Sequence, residues 1–346
     1  MINIKSKILL TTCSLLLFYS CMEPNIEDLW SYEINSSFET NGFARDISIN
    51  NDTVFIAAGQ SGVQVWDLNS ISLIKSFFGY YEGGSFLEFE DVALIEYNKI
   101  NNLLFVTESN KDVMIFNYDS EDSLRYRNTI MSARTKDFIS FANGEDEFVM
   151  YSADNDDGMK WGIYGLDTTN LFGIEFIEWT PSAGGEIYTP GKPTGIDSDG
   201  ISRIAMTVDQ IGVEVFSLDS LGSEPQLIGR VNTAGNALAV KLVQDGVFVA
   251  CDNAGAVYIP NESFSSASSK TYPFAQDLTV NSVTVKDRFA VLSIGSKGIS
   301  VYDISDPTNP IDKGIFPIGY AYNAKFWNDK IIVCTREGLQ ILNLKL

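Results

Sequence analysis

The chain has 346 residues, 45% of them apolar and 12% aromatic, with a formal charge of −21 and no histidine. The acidity argues against nucleic acid as a partner, because phosphates need clustered Lys and Arg. The missing histidine excludes a Ser-His-Asp or Cys-His site and any His-ligated zinc, and leaves carboxylate, Lys or Tyr chemistry open.

Residues 1–21 read MINIKSKILLTTCSLLLFYSC. Lys5 and Lys7 precede a mostly apolar run of 12 residues, Ile8 to Tyr19. That run falls short of the roughly 20 residues that span a bilayer and has the pattern of an export signal. Phe18-Tyr19-Ser20-Cys21 resembles a bacterial lipoprotein lipobox, with Phe where Leu is usual. Cys13 is a rival preceded by too short an apolar run, and an ordinary secretory signal is the alternative. The resemblance implies a signal peptide over residues 1–20 and acyl chains on Cys21, and two or more chains anchor a protein stably in a membrane. Residues 21–28 form an acidic tether, Cys21-Met-Glu-Pro-Asn-Ile-Glu-Asp28. The expected location is the cell envelope, as an outer-membrane lipoprotein. Acidic residues directly after the cysteine resemble a surface-export signal.

Residues 29–346 repeat one unit. Its clearest copy is GISVYDISDPTNP, Gly298 to Pro310. Related stretches begin at Gly62, Asp112, Lys160, Gly212, Gly255 and Gly338, with spacings of 50, 48, 52, 43, 43 and 40 residues including Gly298. A strand precedes each copy, as in VFIAA from Val54 or FAVLS from Phe289, and another lies before that, as in ARDISI from Ala44. A further strand follows, as in SLIKSFF from Ser72. Four short strands per unit of roughly 40–50 residues is the β-propeller period. The glycine suits a tight hairpin with positive φ, and Asp306-Pro307 suits a type I turn. The predicted fold is therefore all-β: a seven-bladed propeller of four-stranded blades. The last unit ends after its third strand, and Leu29-Trp-Ser-Tyr-Glu-Ile34 is a strand without a unit. It is expected to complete blade seven and close the ring. Cys251 and Cys334 end apolar runs in units separated by a third, which predicts two free buried thiols.

The stretches GISVYDISDPTNP, GVQVWDLNS and ARDISINNDTVFIAAGQSG resemble the LVIVD-repeat β-propellers, strongly in units one and six and loosely elsewhere. Unit three departs most, and unit five has Pro260 where Asp is usual. The resemblance implies a secreted or surface protein of this fold without a shared chemistry.

In such a ring the first strands line the channel, and the loops that enter them share a face with the hairpins between second and third strands. Aligning the first-strand starts puts Arg45, Glu90 and Lys136 at one level, with Thr194, Asn236, Asn281 and Asn323. The next position holds Asp46, Asp91 and Asp137, with Gly195, Ala237, Ser282 and Ala324. Charge is thus gathered in blades one to three. Tyr80, Tyr81, Tyr188, Tyr320 and Tyr322 fall in three Gly-rich loops predicted on that face. Exposed Tyr beside Gly suits a sugar or peptide. Solvated ion pairs and aromatic packing under loops are the alternatives. Asp154, Asp156 and Asp157 precede Gly158 and suggest a calcium loop, although no distal bidentate Glu follows; no other cofactor is expected. The expected function is a lipid-anchored, monomeric binding or scaffold module for a protein or glycan. The alternative is a lyase or hydrolase using the channel-mouth carboxylates.

Overall fold

The computed structural model describes residues 30–118, 124–131, 134–156 and 158–345. The expected signal peptide, Cys21, the tether and Asp157 lie outside the described residues. The described chain forms seven four-stranded antiparallel sheets and one small two-stranded hairpin. The inner strands are Asp46–Asn50, Val92–Asn98, Thr135–Ala142, Pro193–Ser198, Ala239–Val243, Ser282–Lys286 and Ala321–Trp327. They touch one another in a closed circuit, the seventh meeting the first. The molecule is a seven-bladed β-propeller.

Near-continuous apolar runs make these blades. Phe55, Ile56 and Ala57 in the second strand of blade one are all buried, as are Val63 and Val65 in the third. A strand flanked by sheets on both faces cannot alternate polar and apolar residues. The result is seven hydrophobic clusters among the described residues, each shared by two neighbouring blades. No blade has a core of its own.

Blade seven takes its outer strand from the other end of the chain. Ser31–Glu39 runs antiparallel to Gly338–Lys345, from Ser31 opposite Lys345 to Glu39 opposite Gly338. The strand is longer than the predicted residues 29–34. It also ties three blades together. Tyr32 stacks on Phe316 of blade six at 4.7 Å, and Phe38 meets Trp66 of blade one edge-on at 5.3 Å.

Two segments read as loops are strands. Gly79–Glu82 and Ser85–Glu88 form a hairpin, because Gly83 and Gly84 both take the positive φ that a two-residue turn needs. In blade three the outer strand runs from Ile174 to Ile187 and absorbs Ser182–Ile187. A Cβ on Gly184 would lie 2.6 Å from the Trp161 carbonyl oxygen, so this glycine serves close strand packing. The hairpin glycine of this unit is Gly158 (φ 111°), two residues before the expected Lys160. Beyond Gly165 the third and outer strands of blade three leave the second strand behind and continue as a two-stranded ribbon. Phe172 stands fully exposed at its turn. Cys251 and Cys334 are free and buried, as expected. Burial raises both thiols, Cys251 to about 12, which leaves them inert.

Candidate functional site: a polar channel with an aromatic mouth

The inner strands can be levelled by their second-strand partners. Opposite the second-strand residue that pairs with the position after each hairpin glycine (after Asp112 in blade two) stand Asp46, Leu94, Asp137, Gly195, Ala239, Ser282 and Asn323. Side chains alternate along a strand, so the next tier is two residues on: Ser48, Glu96, Ile139, Asp197, Lys241, Thr284 and Lys325. A channel of about 450 Å³ runs between the inner strands, lined among others by Asp46, Glu96, Asp137, Asp197, Lys241 and Lys325. The expected alignment holds for Asp46, Asp137, Gly195 and Ser282. It fails in blade two, where Leu94 takes the level given to Asp91. The hairpin at residues 79–88 leaves Glu90 and Asp91 ahead of the strand Val92–Asn98, so both stand above the channel level. Ala237 and Ala324 likewise yield to Ala239 and Asn323.

The channel carboxylates reach across to the neighbouring blade. Asp46 Oδ2 accepts from Ile95 N–H (3.2 Å), and Asp137 Oδ2 accepts from Ile196 N–H (3.0 Å). Glu96 Oε1 accepts from both the N–H (3.1 Å) and the hydroxyl (2.6 Å) of Ser140. Asp197 Oδ2 accepts from Leu242 N–H (2.7 Å) and pairs with Lys241. Ser48 Oγ accepts from Tyr97 N–H (2.9 Å). An inner strand is a sheet edge whose outward N–H groups lack a strand partner. These side chains supply the acceptors and staple blades one to five in series. Asp46 also receives Asn323 (3.0 Å) and Lys325 (3.2 Å) from blade seven, bridging the closure.

Enclosure shapes their ionisation. Burial pushes Glu96 up to about 7 and Asp137 up to about 7, against the Ser140 and Ile196 hydrogen bonds that favour the charged forms. Burial raises Asp197 too, and Lys241 opposes it. For Lys325 burial acts downward, but the Asp46 carboxylate outweighs it and the ammonium is held above its ordinary value.

Above the tiers, Arg45 and Asp91 meet. Arg45 Nη2 lies 2.8 Å from Asp91 Oδ1, and Ser109 links them by accepting from Arg45 (3.2 Å) and donating to Asp91 Oδ2 (2.7 Å). Glu90 joins a separate set, with Lys111 at 2.6 Å, and Lys111 also holds Glu108 at 2.9 Å. Lys136 donates to Asn110 Oδ1. Of the six charged residues read from the first strands, Arg45, Asp46, Lys136 and Asp137 border the channel, and Glu90 and Asp91 stand outside it.

The tyrosines separate into kinds. Tyr80 is packed inward against Phe89, Phe116 and Tyr126, with ring centroids 5.1–5.4 Å away. Tyr81 and Tyr188 point outward, 68% and 80% exposed. Tyr320 and Tyr322 come together at 4.8 Å, and Tyr322 borders the channel. Two residues not foreseen complete this group. Phe43, 48% exposed, lies 6.3 Å from Tyr322. The Arg336 guanidinium stacks on Tyr320 at 4.2 Å and lies 5.9 Å from Phe43. Phe43 is in the loop entering blade one, and Arg336 in the second-to-third-strand hairpin of blade seven. The loop rule already places both on the channel-mouth face; they needed only to be read with Tyr320 and Tyr322.

The acidic loop of blade three is cross-paired. Asp154 is buried and lies 3.0 Å from Lys160, while Asp156 lies 3.2 Å from Arg134. Among the described residues no three His, Cys, Asp or Glu side chains gather closely enough to hold a metal ion.

What fold and site define together is a seven-bladed propeller with a carboxylate-stapled channel and an aromatic mouth. No family model matches the chain, and no curated protein matches it. Solved structures do. A computationally designed protein, Ika8, is similar over 88% of this chain and 98% of its own, with TM-score 0.60 and 9% identity. U3-55K is similar over 90% of this chain and 98% of its own, with TM-score 0.66 and 10% identity. At such identity the likeness concerns the fold alone.

Proposed function

We propose that the protein is a binding module of the cell envelope, held by a lipid on Cys21, that takes a protein or glycan at the channel mouth. The observation that carries this reading is the group Phe43, Tyr320, Tyr322 and Arg336. Loops of blades one and seven bring it together over a polar channel. Aromatic rings offer broad contact area at small entropic cost, and the channel groups beneath can fix a polar ligand's orientation. The direction of the chain supports the anchor. Blade seven's third strand runs from Gly338 at the mouth face to Lys345 at the opposite face, and Ser31 pairs with Lys345. A tether ending there leaves the mouth turned away from the membrane.

The test is a glycan and peptide array probed with the full chain in detergent. Tyr320→Ala and Tyr322→Ala are each expected to weaken the captured ligand about tenfold, the size of one lost ring contact. Binding that both variants retain unchanged would place the site elsewhere. Cys21→Ala is expected to release the protein from the membrane fraction. The second reading, a lyase or hydrolase, draws on Glu96 and Asp137, which titrate near neutrality. Their oxygens are engaged by strand amides, which favours stapling over chemistry.

A further inference from the structure

The Arg336 guanidinium is the feature of the mouth that stapling and packing leave unexplained. The chain carries 45 acidic and 24 basic residues, so cations find carboxylates easily. Five of the eight arginines do, Arg45, Arg134, Arg203, Arg230 and Arg288, while among the described residues Arg125, Arg127 and Arg336 form no ion pair, and of these three only Arg336 stands at the mouth. Arg336 is exposed and has no carboxylate within ion-pair distance among the described residues. It lies over Tyr320 at 4.2 Å instead. Such a contact presents the guanidinium without consuming the N–H donors at its rim, which fit a carboxylate in a two-point fork.

Beside this fork stand the rings of Phe43 and Tyr322, and beneath it the channel. The channel wall is rich in polar groups: Asp46, Thr194, Ser282 and Asn323 in its upper part, with Lys136 at the rim. Asp46, Thr194 and Asn323 are already bonded inside the protein but keep further donor or acceptor capacity toward the channel, which a hydroxyl-rich ligand can use and an apolar peptide side chain would only strip of water. Its volume of about 450 Å³ is in the range of small-molecule sites.

We infer that the mouth binds an acidic sugar, the carboxylate of a hexuronic acid seated on Arg336 and its ring against Tyr320, Tyr322 and Phe43. This inference rests on the mouth being the binding face and adds the ligand's chemistry. Most of the chain's negative charge lies beyond the roughly 8 Å over which charges act at physiological salt. Close to the mouth, Glu337 beside Gly319 opposes an anion, and the stacked Arg336 guanidinium and Lys136 at the rim favour it.

The probes are an oligogalacturonate and its neutral methyl ester, titrated calorimetrically into the full chain in detergent. The acid is expected to bind at least about tenfold tighter than the ester, as a charge-assisted bidentate contact requires. Arg336→Gln should bring the acid's affinity down to that of the ester, and Arg336→Lys should restore only part of the preference. Arg336 is exposed, so both variants should melt like the parent protein. Equal affinity for acid and ester, or full affinity for the acid in Arg336→Gln, overturns the inference while leaving the mouth as a site for neutral ligands. Binding of neither sugar, with capture instead of a peptide through its C-terminal carboxylate, overturns the sugar. Loss of every ligand on the array as well would overturn the mouth itself.

Discussion

Gly298 adopts φ 89°, and a Cβ there would lie 2.1 Å from the carbonyl oxygen of Phe316. The same conflict recurs at Gly62 with Phe77, Gly212 with Val231 and Gly338 with Phe38, at 2.0–2.2 Å. The repeated glycine therefore meets two demands. It turns the hairpin in a left-handed conformation, and it lets the outer strand's last carbonyl press against the turn. Gly298→Ala is expected to cost roughly 1–3 kcal/mol, more than the φ penalty alone, because backbone must move. A calorimetric melt of the variant checks this, and an unchanged Tm would refute it. The turn role was legible in the sequence. The outer-strand contact was not, since nothing local announces which carbonyl arrives there. Asp306 behaves as its turn chemistry predicts: its Oδ1 accepts from the Thr308 N–H at 3.0 Å, and Thr308 holds the carboxyl below its usual range.

At the level of the element, the inner strands do the positioning. Each is a sheet edge, and in blades two to five a carboxylate from the preceding blade occupies a free N–H group. Glu96 makes this testable by pH. Its folded value of about 7 lies above the unfolded value of about 4.3. Between those values the folded chain binds more protons than the unfolded chain, so stability falls as pH rises from about 4 to about 7 and levels off beyond. Glu96→Gln should make that fall shallower without breaking the staple, because one oxygen, Oε1, accepts both Ser140 bonds. Melting curves by circular dichroism from pH 4 to 8 decide it. A slope equal to that of the parent protein would show that Glu96 does not titrate there. Asp137 uses both oxygens, so its amide variant is expected to lose an acceptor and stability as well. The sequence pointed to Asp46 and Asp137 but missed Glu96, Asp197, Lys241 and Lys325. Carrying the alternation one step further along each strand would have found the tier. In blade two it also required the strand to start later, after the hairpin at residues 79–88, which reads as a loop in the sequence.

Over the whole molecule, stability depends on closure. Every hydrophobic cluster lies between blades, so an open ring exposes two half-cores. Removing residues 30–39 would uncover the edge of Gly338–Lys345 and strip Tyr32 and Phe38 from blades six and one. The truncated chain is expected to melt far lower, in one transition, and to associate through the bare edge. A melt like that of the full chain would contradict the closure. The sequence by itself determined the repeat, the four strands of each unit, the hairpin glycine and the N-terminal strand's place in blade seven. These follow from near-continuous apolar runs, turn residues and counting, all of which act over a few neighbouring positions. Only the tertiary structure decided the level of each inner strand and the company of each mouth residue. The hairpin ahead of blade two displaces the first there. The second depends on loops far apart in the chain, such as those of Phe43 and Tyr322, which meet only when the ring is shut.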